Sequence, residues 1–374
     1  MPAKLIDLQQ EKNIASIIDE TVNILRDGGL VVLPTETVYG VAALASHETA
    51  VKRLIDVKGR SEGHALPLAI SGYEMLNDYI PAPGPLGQRL ARRCWPGPLT
   101  LVFDKIPEDS VLCRFPELSQ NAIMPNGTVG FRVPNCSITL EILNELGEPL
   151  VLSSANISGE SPAITAQDAQ SCLGNHLDLI LDFGEASLKK PSSVVQIHPE
   201  SYTILRHGAI SAETLEKLTA KIILFICTGN TCRSPMAEVI CEKLLAEKLD
   251  CPIDELENHR ILVMSAGIAA ESHGYASPVA QEVVKQWGLS LEDHQPQPLT
   301  ETLVRYADQI FVMARGHRES ILSYWPTVDT RLQVLRPDGG DISDPIGGNY
   351  DLYYQCALQI KEALQARMAS IAEI

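Results

Sequence analysis

Apolar residues recur with two periods along this chain, and the switches between those periods outline two successive cores of alternating strands and helices. From Ile14 to Leu25 the spacing is helical, and the run closes at Asp27-Gly28-Gly29, glycine being a common stop. Leu30 to Leu33 is a short unbroken apolar stretch that predicts a buried strand, opening into Pro34-Thr35-Glu36-Thr37-Val38-Tyr39-Gly40. A helix is expected from Thr49 to Val57, a strand after Trp95-Pro96-Gly97-Pro98, and another through Gly130-Phe131-Arg132-Val133. The same alternation restarts at Lys221, where Ile222 to Ile226 reads as a buried parallel strand. A tight loop follows, then a helix with apolar residues at Met236, Val239, Ile240 and Leu244. The junction over 209–221 is short and helix-prone rather than rich in Gly or Pro. With 374 residues the chain is too long for one such core. The expected division is a domain over 1–212, a linker over 213–220 and a domain over 221–374, both α/β: a mixed sheet with helices first, then a parallel flavodoxin-like sheet.

Charge and cysteine usage narrow the picture. Residues 1–218 hold 17 Lys+Arg against 26 Asp+Glu, and the remainder 13 against 21, so neither half is a polycation of the kind that grips a nucleic-acid backbone. A basic pocket inside an acidic shell suits small anionic ligands instead. The nine cysteines are scattered and contain no Cys-x-x-Cys pair, which argues against a disulfide framework. No 18-residue apolar run and no apolar signal core at the N-terminus are visible, so a cytoplasmic, membrane-free location is expected. No metal-ligand cluster stands out, and any Mg²⁺ is expected to arrive with ATP phosphates.

The most informative segment is Cys227-Thr-Gly229-Asn230-Thr231-Cys232-Arg233-Ser234-Pro235. A strand, a tight loop and a helix start, read here as Ser234 capping with Pro235 in the first helical position, aim backbone N–H groups and a helix dipole at one point. That point is an anion site. Cys227 at the strand end and Arg233 at the helix start can touch the same phosphoryl group, and a thiol so placed is expected to be a thiolate nucleophile. Arg233 can hold two oxygens in a fork while loop N–H groups take the remaining charge. Gly229 and Asn230 suit positive backbone torsions, and Thr231, Cys232 and Ser234 complete the support of the loop.

This loop resembles the signature of the low-molecular-weight protein phosphatases, and the resemblance runs from about Lys221 to Ile374. It implies that Cys227 attacks phosphorus, that the Asp-Pro pair Asp344-Pro345 supplies the general acid, and that His294 supports the loop. Asp338 and Asp341 read as a solvated acidic turn. Thr231, and Ile346-Gly347-Gly348 after the Asp-Pro pair, resemble the protein-arginine phosphatase branch. An aromatic phosphoester wants aromatic walls, whereas a flat phosphoguanidinium can use a smaller, partly polar one. Arsenate reduction on the same fold would need a further closely spaced cysteine pair, which Cys241, Cys251 and Cys356 do not form. Cys232 packs beneath the loop or forms a reversible disulfide with Cys227.

In the first half, Pro34-Thr35-Glu36-Thr37 is followed by Lys58-Gly59-Arg60, Gly130-Phe131-Arg132-Val133-Pro134, Ser153-Ser154-Ala155-Asn156, Pro191-Ser192-Ser193 and Leu205-Arg206-His207-Gly208. In this order they resemble the YrdC-like L-threonylcarbamoyladenylate synthases over roughly residues 10–212. The resemblance implies ATP, L-threonine and bicarbonate as substrates, and a product handed to the downstream tRNA threonylcarbamoyltransferase machinery. Lys58, Arg60, Arg132 and Arg206 bring positive charge from four segments, Ser154, Asn156 and Ser192 can donate to phosphate or carboxylate oxygens, and Thr35 is the position that contacts threonine. The segment His64-Ala65-Leu66, Ser193 and His207 depart from the family pattern. The expected whole is a bifunctional synthase and phosphatase acting on a phosphorylated protein. The alternative is that one or both halves only bind, as a nucleotide or RNA sensor in front and a phosphate-recognition module behind.

Overall fold

A computed structural model of the protein describes residues 3–59, 65–104, 106–271 and 273–372. The chain divides into two compact units, Met1–Leu218 and Thr219–Ile374. The first unit carries the strands β1 (Lys4–Asp7), β2 (Val31–Leu33), β3 (Gly40–Leu44), β4 (Leu68–Ala69), β5 (Leu99–Phe103), β6 (Val129–Arg132), β7 (Leu150–Ser154), β8 (Leu179–Asp182), β9 (Ser193–Ile197) and β10 (Tyr202–Arg206). They form one mixed sheet in the order β1-β8-β2-β3-β7-β4-β6-β5-β9-β10. The order scrambles the sequence, so segments far apart in the chain become neighbours. Alternate residues of each strand serve opposite faces: Val32, Val41 and Ala43 join one apolar cluster, while Val31, Leu33, Ala42 and Leu44 join another with the helix Ile14–Arg26. That helix opens with the Asn13 side chain accepting from Ser16 N at 3.2 Å, and Gly28 ends it in the left-handed region at φ 82°. Leu30 falls outside the strand because its N–H is taken by the Asp178 carboxylate at 2.7 Å. The segment leading to the second unit folds as the helix Ala212–Thr219.

The second unit has four strands, β11 (Lys221–Cys227), β12 (Ile261–Gly267), β13 (Gln309–Val312) and β14 (Leu332–Val334), all parallel in the order β12-β11-β13-β14. Every residue of β11 is buried. Ile223 and Phe225 pack under the helices Arg233–Leu249 and Tyr350–Ile371, while Ile222, Leu224 and Ile226 pack on the other face with Val304 and Ile321. A strand covered on both faces must be apolar throughout, which is why the run in the sequence does not alternate. The strand order reverses about β11, whose last residue, Cys227, is level with Gly267 of β12. Ligands of open parallel sheets bind at such a reversal, beyond the carboxyl ends of the strands. Among the described residues no helix is long and apolar enough to cross a membrane.

Candidate active sites

The second unit's site is built by the loop that leaves β11. Asn230 takes φ 55°, a conformation that asparagine tolerates, and this turns its N–H back toward Cys227 Sγ at 3.3 Å. Ser234 Oγ lies 3.0 Å from the same sulfur. Gly229, by contrast, is absent from the residues with positive φ, so the torsional demand falls on Asn230 alone. The helix also begins earlier than expected. Its cap is Cys232, which accepts from Met236 N at 3.1 Å, so Arg233 and Ser234 are already helical and Pro235 sits inside the first turn. There the missing N–H of proline costs nothing, since early helical donors have no internal partner.

Asn230 is fixed from beneath. Its side-chain nitrogen donates to Ser234 Oγ at 3.0 Å and Ser265 Oγ at 2.7 Å, and its oxygen accepts from Gln297 N at 2.9 Å. His294 Nε2 donates to the Asn230 carbonyl at 2.9 Å, and burial pulls the His294 pKa down. Glu238 accepts from Ser265 Oγ, and burial raises its carboxyl to about 7. Gly267 is the close approach that lets the loop pass, because a Cβ there would lie 2.5 Å from Thr228 O and 2.9 Å from Asn230 N. Cys232 is buried, its Sγ 3.4 Å from Tyr353 OH. Thr231 Oγ1 is 3.5 Å from that sulfur.

Arg233, buried in the helix start, pairs with Asp344 Oδ2, while the Asp344 side chain remains 45% exposed. Arg233 Nη1 also reaches Ile342 O at 3.4 Å. Asp338 is engaged by Arg336 and Asp341 accepts from Arg315 N at 2.8 Å, so of the three acidic residues Asp344 is the one in contact with Arg233. Gly347 takes φ 75° with open space where a Cβ would stand, whereas a Cβ at Gly348 would lie 2.7 Å from the Leu352 side chain. His317, which sequence reasoning passed over, is buried beside the loop with Nε2 3.0 Å from Thr228 Oγ1. Burial and then the Arg233 charge hold its pKa down, against the pull of Asp344 and Asp341. Its signal was positional: it lies just past the end of β13, at the carboxyl edge of the sheet.

The first unit's site is a cavity of about 430 Å³ lined by Thr35, Lys58, Arg132, Ser154, Asn156, Ser192 and Arg206 together. Arg60 and His64, expected in the same region, lie outside the described residues. Lys58 ends the helix Glu48–Lys58, which Gly59 closes in the left-handed region. Its buried ammonium donates to Ser154 O at 2.5 Å and Asn156 O at 2.6 Å, tying the end of β7 to the following turn. Arg206 bonds Ser192 O at 2.8 Å and Ser192 Oγ at 3.0 Å, and Thr100 Oγ1 lies 2.9 Å from that hydroxyl. Thr35 Oγ1 donates to Val38 O at 2.6 Å and closes the turn after β2.

Arg132 is more constrained than its sequence context implied. Nη2 meets Glu36 Oε1 at 2.9 Å and Thr37 Oγ1 at 2.8 Å, and Glu36 Oε2 accepts from Asn135 N at 2.9 Å. Burial lowers the Arg132 pKa, and the Glu36 charge opposes that shift. Asn156 also differs from expectation. Its Nδ2 is committed to Ile157 O at 2.7 Å and Glu160 O at 2.9 Å, so its free group is Oδ1, a buried acceptor without a protein partner. Two carbonyls against the nitrogen fix which end is which. The group Asn156 has to offer is therefore an acceptor rather than a donor. No carboxylate appears among the described lining residues, and among the described residues no cluster of His, Cys, Asp and Glu could hold a metal ion. The wall of lysine, arginines, hydroxyls and amide is suited to an anionic ligand.

Comparison with known proteins divides the chain in the same way. Residues 23–208 match the Sua5_yciO_yrdC family model, described as telomere recombination, and residues 222–374 match that of the low molecular weight phosphotyrosine protein phosphatases. The chain is 34% identical over 283 residues to the threonylcarbamoyl-AMP synthase of Pyrococcus abyssi, covering 70% of this chain and 80% of that one. It is 37% identical over 147 residues to the protein-arginine-phosphatase of Bacillus subtilis, covering 38% of this chain and 91% of that one. A solved structure of a doubly substituted P. abyssi Sua5 aligns with a TM-score of 0.52 at 28% identity, over 66% of this chain and 76% of that one.

Proposed function

Because the chain belongs to the Sua5/YrdC threonylcarbamoyl-AMP synthases through its first unit and to the low-molecular-weight protein phosphatases through its second, we propose that it is a bifunctional enzyme whose two sites work by separate chemistries. Both families are enzymes.

For the second unit the reading rests on one observation, the Cys227 sulfur held between Asn230 N and Ser234 Oγ with Arg233 and Asp344 alongside. Both contacts stabilise negative charge on sulfur. Phosphate entering the loop takes over the Arg233 guanidinium and frees the Asp344 carboxyl. Cys227 Sγ then forms a bond to phosphorus as the bond to the leaving nitrogen or oxygen breaks, and Asp344 supplies the leaving atom's proton. A water attacks the phosphocysteine with Asp344 accepting its proton, which restores thiolate and releases phosphate. The substrate is a phosphorylated protein side chain, with phosphoarginine favoured over phosphotyrosine. Thr231 and the two glycines Gly347 and Gly348, which bring no aromatic wall after the Asp-Pro pair, support that preference, as does the likeness to the B. subtilis protein-arginine-phosphatase. The test compares phosphoarginine and phosphotyrosine peptides with the intact protein. Faster hydrolysis of phosphotyrosine would sink the preference, and turnover of neither would favour a phosphate-recognition module.

In the first unit, the convergence of Thr35, Lys58, Arg132, Ser154, Asn156, Ser192 and Arg206 on one cavity supports synthesis of L-threonylcarbamoyladenylate from L-threonine, bicarbonate and ATP. Cationic groups gather the anionic partners, which is most of what nucleotidyl transfer asks of a protein. Mg²⁺ would be carried by the ATP phosphates, since the described wall offers it no carboxylate. The product would pass to the tRNA threonylcarbamoyltransferase machinery. Pyrophosphate release should require threonine and bicarbonate together; ATP binding with no pyrophosphate under any combination would leave only the nucleotide-binding module.

A further inference from the structure

The phosphate loop touches the loop that carries Asp344 at two places. One is direct: Arg233 at the far end of the cradle meets Asp344 and Ile342 O. The other passes through a buried group with no place in the reaction above. Thr228, the residue after the nucleophile, lies 3.0 Å through its Oγ1 from His317 Nε2. His317 belongs to the helix Arg315–Tyr324, whose first N–H is accepted by Asp341 Oδ1 at 2.8 Å. Just before that helix, Met313 O accepts from Ile342 N at 2.8 Å. Both ends of the cradle are thus fastened to one segment, 341–344, and that segment holds the proposed acid.

From this closed circuit we propose that His317 is a positioning residue of the phosphatase reaction, coupling Thr228 at the lip of the phosphate loop to the segment that presents Asp344. The proposal rests on the phosphatase reading. His317 is 7% exposed, and its Nδ1 is buried without a protein partner, an arrangement that costs stability. Burial and the neighbouring Arg233 both disfavour the imidazolium, so the ring adds no second cation to compete for Asp344. A neutral ring bonded to Thr228, on a helix whose start is tied to Asp341, can hold the acid over the leaving atom without disturbing the Arg233–Asp344 pair. Misplacement of the acid by a fraction of an ångström costs turnover while leaving phosphate affinity intact.

The test uses the intact protein and a phosphoarginine or phosphotyrosine peptide, whose leaving atom needs the proton of Asp344. His317→Ala and Thr228→Val should each lower kcat roughly tenfold with little change in KM, and the double variant should be no worse than either alone. His317→Gln, which can still bond the hydroxyl, should recover most of the loss. Factors that multiply in the double variant, or a fully active His317→Ala, would overturn the coupling. A second readout does not need turnover. Inorganic phosphate should shift the His317 ring nitrogen resonances of the intact protein, and Thr228→Val should remove that response. A ring blind to phosphate refutes the inference. A ring that responds in a protein that hydrolyses nothing keeps the coupling and refutes the phosphatase reading instead.

Discussion

The two units solve the same problem, holding a phosphate-bearing ligand, by opposite routes. In the second, the nucleophile, its two donors and the guanidinium all come from the eight residues Cys227 to Ser234, at the point where the strand order reverses about β11. In the first, the wall is gathered from the turn after β2, the end of the helix Glu48–Lys58, and β6, β7 and β10, which the scrambled order of a mixed sheet brings together. A site made by one loop depends on single atoms. A site gathered from many segments depends on the balance among buried charges, because each cation must be neutralised where it stands. The two should therefore fail differently.

The largest difference is expected at Cys227. Cys227→Ser replaces the proposed thiolate nucleophile with a far weaker hydroxyl, and phosphatase turnover should fall by roughly five orders of magnitude or more. Inorganic phosphate should still bind, since Arg233 and the loop N–H groups are untouched, and threonine-dependent pyrophosphate release should be unchanged. Residual hydrolysis near the parent rate would mean that sulfur is not the nucleophile.

Asp344→Asn should cost less, on the order of 10²- to 10⁴-fold in kcat, as expected for loss of a general acid. The cost should depend on the leaving group. A phosphotyrosine peptide, whose leaving oxygen needs a proton, should suffer more than p-nitrophenyl phosphate, whose leaving phenolate needs little help. Equal losses on both would remove Asp344 from the acid role and leave it as a tether for Arg233.

For the first unit the test is charge balance. The Arg132 and Glu36 side chains are only 12% and 9% exposed. Arg132→Ala should destabilise the unit by about 3–5 kcal/mol, because it strands the Glu36 charge. Adding Glu36→Gln should restore much of that stability but not pyrophosphate formation. Calorimetry of the intact protein would measure the first effect and threonine-dependent pyrophosphate the second. If the single and double variants melt together, the pair is not what holds this wall.

The same contrast decides how much was legible in the sequence. The residues of the Cys227–Ser234 loop could be read together because they are adjacent, as could the doubly covered strand before them. What adjacency could not give was detail set by long-range partners. Cys232 displaced Ser234 as the helix cap, and Asn230 took the left-handed torsion without Gly229. The family resemblance identified Thr35, Lys58, Arg132, Ser154, Asn156, Ser192 and Arg206, yet their roles turn on contacts across the sheet. Asn156 became an acceptor because two carbonyls of its own turn consume its donors, and Arg132 acquired a counter-ion from the Thr35–Thr37 turn. Glu36 stood in the sequence only as part of a motif and His317 was passed over, because each matters only through a neighbour far away in sequence.

The smallest effect expected is on stability against pH, and it arises from the buried polar layer beneath the Cys227 loop. Burial raises Glu238 from 4.5 to about 7, so the folded unit holds a proton that the unfolded chain releases. That contribution is complete below pH 4.5 and is lost as pH climbs to 7, by as much as about 3 kcal/mol. His294 and His317 act in the opposite sense. Their folded pKa values lie below 6.5, so the stability they lend is present above that value and is lost as pH falls below it. Over the window between the carboxylate and histidine ranges the two slopes oppose each other, and the parent protein should show a shallow dependence. Glu238→Gln keeps an acceptor for Ser265 Oγ and removes that carboxyl's slope, which leaves the histidines opposed by Glu242, whose carboxyl burial also raises to about 7. The variant should gain stability with rising pH between about 5 and 7 more steeply than the parent, as followed by denaturant unfolding of the second unit within the intact chain. Parallel curves for variant and parent would show that Glu238 is already ionised in the fold, and that the layer under the nucleophile carries one more negative charge than its burial implies.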